Sequence, residues 1–223
     1  NHAKKHISNF RFDEAARIIY QFVWHSYCDW YVEFLKPIFA SQNKKNIEES
    51  RNVSAYIQSN IMILLHPFIP FFTEKIWQDS KFIKYHKNPL MYKNWDLKPY
   101  TAFKKSHLKI DWLINLVTNI RSIKVDLNVS PGSFIDISTE DFSLDKINII
   151  NDNLSVFKSL ARVTKVSKDK LNKNGIKIIA KNETASLYFD QNLNLDEQKK
   201  KISTKVNNLN QKIFVINNKL KTK

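Results

Sequence analysis

The stretch Phe22-Val23-Trp24-His25-Ser26-Tyr27-Cys28-Asp29-Trp30-Tyr31-Val32-Glu33 holds five aromatic residues within ten consecutive positions, Phe22 to Tyr31. It also sets Asp29 and Glu33 one helical turn apart. A helix this rich in rings cannot be a solvated surface element; it has to bury them or present them to a partner. Working outward, apolar residues recur at spacings of three and four at Phe12, Ala16, Ile19, Val23, Tyr27, Trp30 and Phe34. That period predicts one long amphipathic helix over 12–36, with Trp24, Trp30 and Tyr31 in the core. Asp13 and Glu14 fall in its first turn, where carboxylates suit the helix dipole, and Pro37 marks its end or a kink.

Further helices follow. Residues 42–48 read as a polar connection, and 47–66 as a helix with Val53, Ile57, Ile61, Leu64 and Leu65 inward, stopped by Pro67. Pro70 suits the first turn of a short helix through Trp77. Residues 81–101, with Pro89 and Pro99, read as irregular. A helix over 105–125 carries Ile110, Leu113, Ile114, Val117, Ile120 and Lys124 at helical spacing. Together these predict an up-and-down bundle.

The character changes at Pro131-Gly132. Residues 133–139 alternate like a strand, and 141–160 read as a helix with Leu144, Ile147, Ile150, Leu154 and Phe157 inward. Short strands are expected over 162–167, 175–180 and 184–190. The last segment sets Leu195, Ile202, Val206, Leu209, Ile213, Ile216 and Leu220 at heptad spacing, with Lys199 breaking one apolar position, which predicts a basic coiled-coil helix. The expected fold class is mainly α: a helical bundle over 1–128, a small α/β unit over 129–192 and a coiled-coil helix over 193–223.

Composition narrows function. The chain has 223 residues, 43% of them hydrophobic, enough for a real core. Its two glycines, Gly132 and Gly175, cannot furnish a glycine-rich phosphate loop, whose backbone amides must approach the ligand closely. The single cysteine, Cys28, excludes an internal disulfide and fits a reducing compartment. No apolar run approaches the roughly 18 residues of a membrane span. Asn1 to Phe10 reads like the middle of a helix, which predicts a piece of a longer polypeptide. The net charge of +15 suits a polyanionic partner, although a chain crowded with Lys, Asn and Ile also fits biased genomic base composition.

No catalytic constellation stands out. The six histidines lack metal-ligand spacing, His66 before Pro67 reads as a helix-end residue, and Asp29 with Glu33 reads as a structural pair. The stronger pattern is basic and aromatic. Lys4, Lys5, Arg11 and Arg17 cluster in sequence beside Phe10 and Phe12. Cations neutralise phosphates, while rings and guanidinium planes stack on unpaired bases. The same pattern also fits a solvated helix face next to core rings. Lys199, Lys200, Lys201, Lys205, Lys212 and Lys219 form a second basic set on the last helix, readable as a cationic arm or as an ordinary soluble surface.

These residues carry a resemblance. Arg11-Phe12-Asp13-Glu14-Ala15-Ala16, then Phe22-Val23-Trp24 and Cys28-Asp29-Trp30-Tyr31-Val32-Glu33 with Lys36, resembles the anticodon-binding region of the valyl-tRNA synthetase family. Leu65-His66-Pro67-Phe68-Ile69-Pro70-Phe71-Phe72-Thr73-Glu74-Lys75-Ile76-Trp77 is similar to a second block of that family, in the right order. Ile120-Arg121-Ser122-Ile123-Lys124 followed by Asn128-Val129-Ser130-Pro131 resembles a third. The Lys-rich heptads resemble the first helix of its C-terminal arm, although no return helix follows. Sister synthetases for isoleucine and leucine share the bundle, and the Cys-Asp-Trp-Tyr block favours valine.

The resemblance implies an anticodon-binding bundle within a cytoplasmic ligase that joins valine to its tRNA with ATP. The two nucleotide-binding motifs and the editing domain of that family lie outside this sequence, so catalysis and its cofactors, ATP and valine, are expected upstream; this fragment is expected to hold no cofactor and to be inactive alone. Its expected partners are valine tRNA and the upstream part of the enzyme, with no membrane, in a monomer. Arg11, Phe12 and Arg17 are the candidates for the anticodon loop, with Lys4 and Lys5 on phosphates. Other readings are the same region of a sister synthetase, a free-standing RNA-binding accessory protein, and a coiled-coil interaction module.

Overall fold

A computed structural model describes residues 2–80, 88–95, 103–169, 175–181, 183–189 and 195–221. The chain divides into two compact units, 1–114 with 149–160, and 115–148 with 161–223.

The first unit is helical. It contains α1 (His2–Ser8), α2 (Phe12–Gln21), a π-helix (Phe22–Tyr31), α3 (Val32–Phe39), α4 (Lys44–Leu65), α5 (Pro70–Asp79) and a short 3-10 turn (Leu90–Tyr92). The start of α6 (Lys104–Asp126), the end of α7 (Leu144–Asp152) and nearly all of α8 (Leu154–Ala161) complete it. Boundaries follow local chemistry. The Asn43 side chain accepts the Asn46 N–H at 3.1 Å and so caps α4. Pro70 opens α5, where no N–H is needed. The Trp77 indole N–H donates to the Asn88 carbonyl at 3.3 Å, and the Glu74 carboxylate accepts the Leu90 N–H at 2.9 Å. These bonds fix Leu90 against Trp77, and both side chains are buried with Met62 and Ile63 beside them.

Four expectations need correction here. The helix over 12–36 is not uniformly α, because the Val32 N–H bonds to the Tyr27 carbonyl five residues back. Side chains four apart remain neighbours on the helix surface. Accordingly Tyr27 stacks on Tyr31 at 5.6 Å, and Trp30 meets Phe34 edge-on at 6.2 Å. Pro37 does not end the helix; it lies inside α3, which continues to Phe39. Val53, expected inward, is exposed on α4, as is Leu144 on α7. The expected helix over 141–160 is two helices. At Asn153 the side-chain amide donates to the Ile149 carbonyl, and the backbone restarts with the Phe157 N–H on the Asn153 carbonyl. Residues 81–87 and 96–101 of the expected irregular segment lie outside the described residues.

The second unit holds a sheet of β1 (Ile135–Ser138), β2 (Val163–Ser167), β3 (Ile176–Ala180) and β4 (Glu183–Phe189) in the order β2-β1-β4-β3. The β1–β2 pair is parallel, and the other two are antiparallel. Period-two alternation buries Ile135 and Ile137, Ile178 and Ala180, Ala185 and Leu187. The end of α6 ties to this sheet. Asn128 takes a left-handed φ of 54° and closes the helix, and the Val129 N–H reaches back to the Lys124 carbonyl at 2.8 Å. Gly175 sits where a Cβ would lie 2.9 Å from the Tyr188 ring, so only glycine fits without displacing it. The heptad segment forms one continuous helix, α9 (Leu195–Lys221). Its Val206, Leu209, Ile213 and Ile216 are about half exposed. Among the described residues no helix is long and apolar enough to cross a membrane.

Candidate nucleic-acid interface

The first unit turns sharply between α1 and α2. The Phe10 N–H donates to the Ile7 carbonyl at 3.0 Å, and the Arg11 N–H reaches back to the His6 carbonyl at 2.9 Å. This pair of bonds closes a helix around one residue in the left-handed region, a place usually filled by glycine. Here it is Phe10, with φ of 59°. A left-handed side chain costs about 1–2 kcal/mol in backbone strain. The turn leaves the Phe10 ring 82% exposed, with its edge against Phe12 at 6.4 Å.

Arg11 then precedes α2, and its carbonyl accepts the Ala15 N–H at 3.1 Å. One turn on, Glu14 gathers two cations. Its Oε1 accepts from Arg11 Nη2 at 3.3 Å, and its Oε2 from Arg17 Nε at 2.9 Å and Nη2 at 2.5 Å. The arginine side chains remain 58% and 56% exposed, against 25% for Glu14. The carboxylate orders two guanidinium planes while leaving much of each open to a phosphate or a base. Lys4 and Lys5 are exposed on α1, which packs on α2. The structure thus joins Arg11 and Arg17 through Glu14, sets Phe12 against Phe10 rather than with Arg17, and leaves Lys4 and Lys5 exposed on the adjoining helix.

The ring-rich stretch corrects the expectation that Trp24 is core. Tyr20 and Trp24 are 58% and 52% exposed and stack in parallel, 8° apart with centroids at 6.0 Å. Trp30 and Tyr31 are partly buried. Tyr31 shares a hydrogen bond with Ser54 of α4 at 3.2 Å. The Tyr27 hydroxyl is pushed above its ordinary pKa by burial, a rise tempered by a hydrogen bond to Gln58. One side of this segment therefore seats on α4, and another faces solvent with Trp24. His25 Nδ1 pairs outward with Asp29 at 3.1 Å.

The second sequence block is a structural turn. His66 follows the last residue of α4, and its Nδ1 lies 2.8 Å from the Thr73 hydroxyl. That hydroxyl is also within reach of the Ile69 and Pro70 carbonyls, at 3.0 and 3.1 Å. Carbonyls only accept, so the hydroxyl proton goes to them and His66 donates from Nδ1. On α9, Lys200 and Lys212 are exposed, whereas the side chains of Lys199, Lys201, Lys205 and Lys219 lie outside the described residues. Among the described residues no group of three or more His, Cys, Asp or Glu is placed to hold a metal ion.

The exposed Tyr20–Trp24 stack is a candidate surface that the sequence reading did not name, Trp24 having been expected in the core and Tyr20 not singled out. A signal was available: Asp13, Arg17, Tyr20 and Trp24 recur at four, three and four, a second stripe beside the apolar one.

Comparison with known proteins gives the family. The family model "Anticodon-binding domain of tRNA ligase" matches residues 1–139. The valine–tRNA ligase of Pelagibacter ubique is 40% identical over 225 residues, covering 100% of this chain and 25% of that protein. That of Agrobacterium fabrum is 39% identical over 128 residues, covering 57% of this chain and 13% of that protein. That of Rhizobium meliloti is 32% identical over 195 residues, covering 86% and 20%. The chain spans a quarter or less of the length of these curated relatives. With more than half of its residues matched by the family model, the chain belongs to the anticodon-binding domain family of tRNA ligases.

Proposed function

We propose that this chain is the tRNA-recognition part of a valine–tRNA ligase. In this reading the first unit receives the anticodon loop of valine tRNA, and the Lys-rich α9 follows the tRNA backbone. The aminoacylation chemistry, with its ATP and valine, belongs to the rest of a cytoplasmic, monomeric ligase, and the chain alone is inactive. The observation that carries the reading is the pair of half-exposed arginine side chains, Arg11 and Arg17, on Glu14, where Arg11 follows the exposed Phe10 and precedes the exposed Phe12 in the chain. Phosphate neutralisation and base stacking need those two kinds of group side by side.

The test is equilibrium binding of the chain to valine tRNA, isoleucine tRNA and an anticodon-swapped valine tRNA across a salt series. Binding that follows the anticodon supports the reading. Equal, steeply salt-dependent binding to all three leaves only a cationic surface.

The half-exposed seam of Val206, Leu209, Ile213 and Ile216 favours one second reading, a coiled-coil interaction module. Sedimentation at micromolar concentration tests it: a dimer supports it and a monomer removes it.

A further inference from the structure

We propose that the outward rings of Tyr20 and Trp24 are the seat for one unpaired base of the bound RNA loop, with the Arg17 guanidinium taking the adjoining phosphate. This inference rests on the tRNA-recognition reading and adds to it a place and a mode of contact.

Four observations carry it. The rings are parallel to within 8° and yet more than half exposed, so a flat ordered surface stands in solvent before any ligand arrives. A third flat ring extends such a stack with little further ordering. Next, Arg17, Tyr20 and Trp24 follow at spacings of three and four, so a cation and two rings share one helix face. The backbone changes from α to π at Phe22, between the two rings. Such a local widening is rare and frequently marks a functional site.

The last observation is the charge around the rings, which selects the occupant. Arg11 and Arg17 are held by Glu14 on one side, and His25 pairs with Asp29 on the other. An apolar protein surface would have to desolvate that charged rim. A nucleotide brings its own anion to the arginine and a π-face to the rings. Stacking accepts every base, so this seat supplies affinity and register, and base identity must be read by polar groups elsewhere.

The experiment measures binding of the chain to a valine anticodon stem-loop and to derivatives with one abasic site at each loop position in turn. Trp24→Leu is expected to weaken binding to the intact loop roughly 5- to 150-fold, the range of one base–aromatic stack. Trp24→Phe should recover most of the loss. Against the derivative whose abasic site replaces the seated base, Trp24→Leu should change nothing. The proposal is overturned if Trp24→Leu binds every RNA as the parent does, or loses affinity equally for every abasic derivative. Arg17→Ala separates the two readings. If it weakens binding while Trp24→Leu does not, only the ring seat fails. If neither variant has an effect, the RNA-binding reading of this face fails with it. Circular dichroism and thermal midpoints matching the parent establish that the variants fold.

Discussion

The Nζ of Lys124 donates to the carbonyl oxygen of Ala161, the last residue of α8, at 3.0 Å. It also donates to the Ser133 carbonyl at 2.8 Å, and the side chain is only 2% exposed. The last carbonyls of a helix lack intrahelical donors, and a cation there is favourable. The cost is burial of the ammonium, which lowers the Lys124 pKa to about 8, with the charges of Arg162 and Arg121 pushing the same way. Between that value and the ordinary 10.5 the unfolded chain binds a proton that the folded chain does not, so stability gains from this group as pH rises through that window. Lys124→Met removes both donors and should lower stability by about 1–3 kcal/mol. Thermal melts from pH 7 to about pH 10 check both points. The gap between parent and variant should widen with pH, and a constant gap would mean that Lys124 does not titrate there.

Glu14 holds two guanidiniums, so it competes with any phosphate that approaches them. Arg17→Ala should weaken RNA binding and reduce the salt slope by about 0.7, the value for one phosphate contact on a single strand. Glu14→Gln should do the opposite at low salt, because the carboxylate no longer opposes the RNA. A loss of affinity in Glu14→Gln as large as that in Arg17→Ala would show instead that the carboxylate positions the guanidiniums for binding. Fluorescence anisotropy titrations over a salt series read both variants.

Thr73 is fully buried at the turn between α4 and α5, and His66 donates to its hydroxyl. Thr73→Val keeps the shape and removes the oxygen. The Ile69 carbonyl keeps the Thr73 backbone N–H at 3.1 Å, so the main loss is the partner of His66. Chemical denaturation should show a cost of about 1 kcal/mol, and a cost near zero would mean that His66 turns to solvent.

Much of the fold was legible in the sequence because the signals were local. Pro70 opened α5, the α6 period ran to its end, and the heptads marked α9. Alternation over 133–139 marked β1, and short strands were expected over 162–167, 175–180 and 184–190 where β2, β3 and β4 lie. What was not legible depended on coverage by distant residues. Apolar spacing says which residues share a face, not whether another element covers it, so Val53, Leu144 and Trp24 were expected inside and lie outside. Spacings of three and four do not distinguish an α from a π turn, so Phe22–Tyr31 read as α. Among the candidate site residues, Arg11, Phe12 and Arg17 were nameable from residue type, but Glu14 as the common partner of the two arginines and the Tyr20–Trp24 stack needed three dimensions.

Phe10 allows stability and the proposed binding to be tested separately. Its backbone sits at φ of 59°, where glycine carries no side-chain strain, and its ring is 82% exposed, so little burial compensates. Phe10→Gly relieves about 1–2 kcal/mol of strain. It also gives the unfolded chain more freedom, which offsets roughly 0.5–1 kcal/mol of that gain, and it forfeits the edge contact with Phe12. The net expectation is a thermal midpoint equal to or slightly above the parent. A non-glycine residue held in this region by its surroundings often serves a function. If the ring meets RNA, the same substitution should weaken binding by about one stacking contact, roughly 5-fold or more. Melting and binding measured on one preparation decide the matter. A variant as stable as the parent that binds less well makes the strained turn a device for presenting the ring. A less stable variant with unchanged affinity would make Phe10 a structural residue that packs on Phe12.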